Sequence, residues 1–147
     1  MPVSIYFREP DIVAHALHRT EDGVLVSGLP AFRLDRETSP SEVGRVVRVI
    51  LSQSTAVIPH PTECEGFDKP VLAALSARSW RTITHAARLC TIHDDDQSLA
   101  IIPARNGGET GSNRGFHELL ARAVRIELDA TDRDLGDAIL AVEAQCD

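Results

Sequence analysis

Apolar positions in the first third of the chain follow the short period of β-strands. The run Val3–Phe7 is apolar and rich in β-branched and aromatic residues, which favours a strand. Residues 11–17 fit either a second strand or a short helix. After a turn signal at residues 21–23, a short strand at residues 24–26 is expected to end at Gly28 and Pro30. These segments predict an N-terminal hairpin or meander.

The most informative pattern is an internal repeat that joins residues 34–53 with residues 128–145. Each copy reads as a strand, a capped turn and a helix whose apolar positions recur every three or four residues. Ser39 and Thr131 stand at the predicted N-caps, and an acid follows each of them three residues later, at Glu42 and Asp134. This spacing is that of a capping box, in which two side chains bond the free N–H groups of the first turn.

Gly44 and Gly136 occupy matched positions inside the two predicted helices. Glycine in a helix interior costs about 1 kcal/mol relative to alanine. Its recurrence therefore predicts that another backbone approaches each helix closely at this position.

The middle of the chain contains a long loop and then a short helix. Residues 54–68 carry two prolines, a glycine and several polar residues, which predicts an exposed loop. Residues 69–77 predict a short helix, with Asp68 as its cap and Pro70 at its first position.

A hairpin is predicted next, with arms at residues 81–93 and 98–103 and a turn at residues 94–97. Residues 99–102 are continuously apolar, as in a central strand that is buried on both faces. The glycine-rich residues 106–115 predict a flexible loop before a last strand at residues 123–128.

Together these elements predict an α+β fold. Two capped helices are expected to pack on a mixed, mainly antiparallel sheet. The length of 147 residues, with 43% hydrophobic and 25% charged residues, suits a single domain that spans residues 1–147.

The charge balance bears on the kind of partner. There are 22 acidic and 15 basic residues, and the formal net charge is -7. Direct binding of nucleic acid is disfavoured, because phosphate contacts need clustered lysine and arginine. An acidic surface suits a basic protein partner. The candidate partner-binding residues are the acids of the long loop and of the hairpin turn: Glu63, Glu65, Asp68, Asp94, Asp95 and Asp96.

No pattern predicts a metal, a cofactor or a catalytic site. Cys90 and His93 are three apart on a predicted strand and therefore point to opposite faces, while His60 and Cys64 lack two further ligands. Neither a nucleophile elbow nor a phosphate-binding loop is present. The three scattered cysteines, Cys146 included, suit reduced thiols in a cytosol. Because the N-terminus shows no signal peptide and no apolar run is of membrane-spanning length, a cytoplasmic location with no membrane contact is expected.

The order of features in the C-terminal half resembles that of the immunity proteins of bacterial contact-dependent growth inhibition. The resemblance covers residues 79–146 and the first capped helix around Glu42, Val43 and Gly44. The matching residues are Ser79-Trp80, Arg88-Leu89-Cys90-Thr91-Ile92 before an acidic turn, Leu99-Ala100-Ile101-Ile102-Pro103, Gly115-Phe116, and Leu135-Gly136-Asp137-Ala138-Ile139-Leu140.

This resemblance implies a small cytoplasmic protein without catalytic activity. Its partner would be the C-terminal nuclease domain of a toxin encoded beside it, often a DNase or tRNase with a basic surface. The family has no catalytic motif to transfer, and its toxin contacts vary with the partner. The alternatives are a regulatory or structural subunit with another protein partner and, third, an enzyme with an unrecognised site.

Overall fold

The computed structural model describes residues 2–54, 57–62 and 66–147. Eight strands of this part of the chain form one sheet: β1 (Val3–Phe7), β2 (Asp11–Thr20), β3 (Leu25–Asp35), β4 (Val57–Ile58), β5 (Arg88–Asp94), β6 (Ser98–Asn106), β7 (Phe116–Glu118) and β8 (Val124–Glu127). The helices are α1 (Pro40–Gln53), α2 (Lys69–Ala74), α3 (Trp80–Thr84) and α4 (Asp132–Val142), with single 3-10 turns at Leu120–Arg122 and Glu143–Gln145.

The sheet is antiparallel except at one short contact. Its strand order is β3-β2-β1-β5-β6-β7, and β8 pairs with β6 beside β7. Among the described strands, only β4 pairs in parallel, with the end of β2. This architecture confirms the predicted α+β class.

The N-terminal hairpin is longer than its sequence pattern indicates. Residues 11–17 belong to a strand, β2, which continues to Thr20. The expected end of the next strand at Gly28 and Pro30 is wrong, because β3 continues to Asp35. Ala31 of β3 pairs with His15 of β2, and the next residue of β2, Ala16, pairs with Gly28. The residues of β3 between these two pairs, Pro30 included, form a bulge. An edge strand tolerates proline at a bulge, because no ladder bond is required there.

Helices α1 and α4 cover the first face of the sheet and confirm the predicted repeat. They pack on buried side chains of β1, β2, β5 and β6, among them Ile5 and Ile101. The two helices also interlock: a Cβ on Gly44 would lie 1.8 Å from the carbonyl oxygen of Asp132, and one on Gly136 would lie 1.7 Å from that of Pro40. Each glycine thus admits the first residue of the other helix, as its position predicts.

The predicted caps form, but only in one direction. Ser39 Oγ accepts a hydrogen bond from the N–H of Glu42 at 3.3 Å, and Thr131 Oγ1 accepts one from the N–H of Asp134 at 3.1 Å. The returning bond predicted for Glu42 is replaced, since its carboxylate accepts two hydrogen bonds from Arg45 at 2.6 and 2.8 Å.

Helices α2 and α3 cover the second face with much shorter segments. They bury Val71, Leu75 and Ile83 against Tyr6 and Val13. The helix predicted for residues 69–77 ends at Ala74. Two residues later, Ser76 adopts a positive φ of 51°, a conformation that helices do not continue through. Asp68 is the N-cap residue of α2, as predicted, but its side chain makes no capping hydrogen bond.

The central hairpin confirms the prediction in one arm and corrects it in the other. The predicted arm at residues 81–93 begins only at Arg88, because Ser79 caps the short helix α3 through the N–H of Thr82. The apolar arm belongs to β6, which pairs with β5 on one side and with β7 and β8 on the other. Residues 99–102 are buried, as a central strand requires.

Candidate protein-binding surfaces

The predicted acidic residues do not form one cluster in the described part of the chain. Glu63 and Glu65 lie outside the described residues. Asp68 is half-buried directly before α2, which packs against β3 at the edge of the sheet. The other three acids lie at the turn between β5 and β6, and β2 and β1 separate β3 from β5. Asp68 and the hairpin turn therefore belong to different parts of the surface.

Within the hairpin turn, Asp95 has a structural role. One carboxylate oxygen accepts hydrogen bonds from the N–H groups of Gln97 and Ser98, at 3.2 and 2.8 Å. The other accepts one from Arg125 on β8. The bond from Ser98, followed by that from Arg125, lowers the pKa of Asp95 to about 2. This carboxylate is already engaged within the molecule.

The neighbouring acids differ from Asp95 in their surroundings. Asp94 lines a small cavity of about 300 Å³ together with Arg48 of α1 and Leu128. Asp96 is exposed at the tip of the turn, with a positive φ of 68°. A carboxylate at this tip is accessible to a partner.

A larger groove lies at one end of the second face. It has a volume of about 1180 Å³ and is formed by the end of α3, the start of β5 and the glycine-rich segment 106–115. Phe116 and the small residues Ala86 and Ala87 form part of its wall. The groove is large enough to hold a peptide segment of a partner.

The charged side chains of this groove are mostly basic. Arg81, His85, Arg88 and Arg114 line it, against only two acids, Glu109 and Asp147. Asp147 is already paired with Arg122 at 2.9 Å, and Arg122 is not among the lining residues. The groove is therefore a basic region in a chain whose net charge is -7.

Glu109 connects the two sides of the groove. Its carboxylate lies 3.1 Å from Nη2 of Arg81 and 3.0 Å from Nδ1 of His85. Glu109 itself belongs to the glycine-rich segment 106–115, which begins more than twenty residues after these two basic residues. These contacts, led by the bond with His85, hold the pKa of Glu109 below its usual value. A carboxylate is thus bound where the basic residues of the groove converge.

Sequence patterns did not indicate this groove. The sequence pattern places Arg81, His85 and Arg88 in a predicted strand and Arg114 in a predicted flexible loop. The spacing of the first three basic residues, four and then three apart in an acidic chain, was the available signal. Their convergence with the glycine-rich loop depends on tertiary structure.

Two polar groups lie on the second face beside its apolar core. Oε1 of Glu118 accepts a hydrogen bond from Thr91 and lies 3.1 Å from Nε2 of His93, which ties β7 to β5 across β6. His15 is fully buried, with its ring 5.9 Å from that of Tyr6 and 5.2 Å from that of Trp80. Its Nδ1 donates to the carbonyl oxygen of Ala16, and its buried Nε2 has no hydrogen-bond partner.

Burial controls the titration of this aromatic group. Desolvation lowers the pKa of His15 and raises that of Tyr6 to about 12. Both side chains are therefore neutral near pH 7. They belong to the core between the sheet and the short helices.

The described residues contain no group of three or more metal-ligating side chains. Cys90 and Cys146 are free and buried, and burial raises the pKa of both thiols. Cys64 lies outside the described residues. Among the helices of residues 2–54, 57–62 and 66–147, none is long and apolar enough to cross a membrane.

Two solved structures share the fold. A protein of unknown function from Neisseria meningitidis matches with a TM-score of 0.75 and 17% identity, over 99% of this chain and 94% of that chain. A chain of a CdiA-CT/CdiI toxin and immunity complex from Yersinia pseudotuberculosis matches with a TM-score of 0.69 and 14% identity, over 99% and 97% of the two chains. No protein-family model and no curated protein sequence matches. At such identities the likeness shows a common fold.

Proposed function

We propose that this chain is a cytoplasmic, non-catalytic immunity protein that binds and neutralises the C-terminal toxin domain of a contact-dependent growth inhibition system. One observation carries the proposal: a chain of a toxin and immunity complex shares the fold over 97% of its length. The resemblance in residues 79–146 points to the same class. The toxin is expected to be a nuclease, such as a DNase or a tRNase.

The geometry offers surfaces for such a partner. The groove on the second face, with a volume of about 1180 Å³, has room for a segment of a partner protein, and the exposed Asp96 lies at the tip of the hairpin turn. We propose that five of the predicted acids, Glu63, Glu65, Asp68, Asp94 and Asp96, act as a rim that attracts the basic surface of a nuclease, while Asp95 holds the hairpin turn. Charges at the rim of an interface mainly set its association rate and salt dependence.

The test is co-expression of this chain with the C-terminal domain of the toxin gene beside it. The immunity protein is expected to co-purify with that domain and to restore the growth of cells that produce it. Toxin domains from unrelated systems are the control and should be neither bound nor neutralised. Unrestored growth together with failure to co-purify would overturn the proposal.

Substitution of the rim acids tests where the toxin docks. Asp96→Asn should slow association at low salt and have less effect at moderate salt, because screening weakens attraction between exposed charges. Asp68→Asn tests the other acidic region in the same way. If both variants associate like the parent at every salt concentration, these acids are not part of the rim.

A further inference from the structure

The contact between Glu109 and the basic residues of the groove joins two segments that are held very differently. Arg81 lies in α3 and His85 directly follows it, and this helix packs on the second face through the fully buried Ile83. Glu109 lies in the glycine-rich loop, where Gly108, Gly111 and Gly115 all have positive φ values. The basic side is thus fixed to the core, whereas the acidic side is on an exposed loop.

The bonds of this loop are concentrated at its base. The N–H of Gly107 donates to the carbonyl oxygen of Gly115 at 2.7 Å, and the N–H of Gly115 donates to that of Gly108 at 2.9 Å. Glu109 follows this base and is held to α3 by its carboxylate. Because the Arg81 and Glu109 side chains are 76% and 39% exposed, their ion pair contributes little to stability. Another carboxylate is therefore able to replace that of Glu109 at small cost.

We propose that Arg81 and His85 form the anchor for a carboxylate on an acidic segment of the toxin domain, and that Glu109 occupies this anchor until the toxin binds. This inference rests on the proposed function and names the chemistry of the partner at the groove. Removal of Glu109 from the anchor leaves Arg81, His85 and Arg114 facing the groove, with Arg88 held 3.6 Å from Glu143 and Asp147 paired to Arg122. That charge complements an acidic peptide segment.

The geometry of the anchor favours a carboxylate, whose two oxygens can both contact Arg81, over a group with a single acceptor atom. The two carboxylate oxygens of Glu109 lie 3.2 Å from Nε and 3.1 Å from Nη2 of Arg81. This is the two-point arrangement that arginine makes with carboxylates. A phosphate of a nucleic acid has similar oxygen geometry. A nucleic acid carries a charge at every phosphate, so the net charge of -7 repels it more strongly than a short acidic segment of a protein, which is therefore the favoured occupant.

The experiment measures the affinity of the purified chain for a catalytically inactive form of the adjacent toxin's C-terminal domain. Arg81→Gln is expected to weaken binding by about tenfold or more, since it removes the two-point contact. Glu109→Gln is expected to tighten binding several-fold, because the competing carboxylate is gone. In the double variant, the gain from Glu109→Gln should disappear, since its target is absent.

Arg133→Gln is the matched control. Arg133 is an exposed arginine of α4 on the opposite face, paired with Asp137 at 3.7 Å. Its substitution should leave affinity unchanged, and all variants should unfold at the same denaturant concentration as the parent. That agreement would separate loss of the anchor from loss of the fold.

The possible outcomes separate this inference from the proposed function. If the toxin binds the parent and Arg81→Gln equally, or if Glu109→Gln weakens binding, the anchor is wrong while the immunity function stands. If the toxin does not bind the parent, the proposed function fails and the anchor fails with it. Binding of a single-stranded RNA oligonucleotide that is lost in Arg81→Gln would overturn the acidic peptide as occupant.

Discussion

The two faces of the sheet are covered in opposite ways. On the first face, helices of 14 and 11 residues interlock through Gly44 and Gly136 over a continuous apolar core. On the second face, helices of six and five residues cover the sheet, and the large groove opens beside them. The first face is therefore closed by two interlocked helices, and the second keeps an open groove.

This difference has a physical basis in helix length. A helix of five or six residues has little stability of its own, because nucleation is costly and few hydrogen bonds follow it. Helices α2 and α3 depend on single buried anchors such as Val71 and Ile83. Exposed side chains of these helices, such as that of Arg81, are not constrained by packing in the core, whereas the glycines of α1 and α4 are.

The largest effect is expected at the helix crossing. Gly44→Ala and Gly136→Ala each place a methyl group less than 2 Å from a backbone carbonyl oxygen. We expect each to lower the free energy of unfolding by about 3 kcal/mol, the upper end of the usual cost of overpacking. The gain of about 1 kcal/mol from the better helix former does not offset this cost. Urea denaturation measures both.

The variant with both glycines replaced tests whether the two close contacts are coupled. Once one substitution has pushed the helices apart, the second meets less resistance, so the combined loss should be smaller than the sum. Arg133→Ala on exposed α4 surface and Arg81→Gln in the groove should each stay within about 0.5 kcal/mol of the parent. A parent-like stability of either glycine variant would mean that the helices do not cross as described.

The helix caps give the next largest effect. Ser39→Ala and Thr131→Ala each remove an acceptor for a first-turn N–H, and each should cost about 0.5–2 kcal/mol. Ser79→Ala removes the longer 3.4 Å cap of α3 and should cost less. Ser39→Asp, which retains a capping acceptor, is the control. If Ser79→Ala is the most destabilising of the three, the short helices contribute more to stability than their length indicates.

The same contrast explains which parts of the fold were predictable from sequence. The two long helices carry local signals, since caps, apolar period and matched glycines all fall within about twenty residues of chain. The buried strand at residues 99–102 is equally explicit. Five residues of α3 are too few for a helical period to show, and Pro30 is tolerated only because of a bulge against β2.

The candidate sites were harder to predict for a related reason. Arg81, Arg88 and Arg114 are separated in sequence and meet only when the glycine-rich loop folds beside α3. The sequence predicts the acidic turn, but it does not show that its acids differ in their contacts. Asp95 accepts hydrogen bonds from backbone N–H groups and from Arg125, which lies on a strand distant in sequence. No local sequence pattern predicts the contact with Arg125.

A smaller, pH-dependent effect is expected at the core of the second face. Burial lowers the pKa of His15 in the folded chain, whereas in the unfolded chain it titrates near its ordinary value of 6.5. Below pH 6.5, His15 binds a proton in the unfolded state but stays neutral in the folded state. Stability should therefore fall as the pH decreases below 6.5, by at most about 1.4 kcal/mol per pH unit, until the folded pKa is reached.

His15→Phe removes this titration and retains an aromatic ring beside Tyr6 and Trp80. Urea midpoints at pH 7.5 and 5.5 should differ less for this variant than for the parent. His117→Phe, at an exposed position of β7, should keep the parent's pH dependence. An unchanged pH dependence in His15→Phe would assign the effect to other groups.

The smallest expected effect lies at the acidic turn, where stability and binding are assigned to neighbouring residues. The pKa of Asp95 is about 2 in the folded chain, against an ordinary value of 3.8. A lowered carboxylate pKa stabilises the folded state above the unfolded value, and this contribution is lost as the pH falls through the folded value. Asp95→Asn should therefore lower the urea midpoint at pH 7 and have less effect at pH 3.

Asp96→Asn should leave stability unchanged, since asparagine tolerates the positive φ of that position, and should act only on the rate of association with the toxin. If Asp95→Asn slows association without loss of stability, the turn acids share one role in binding.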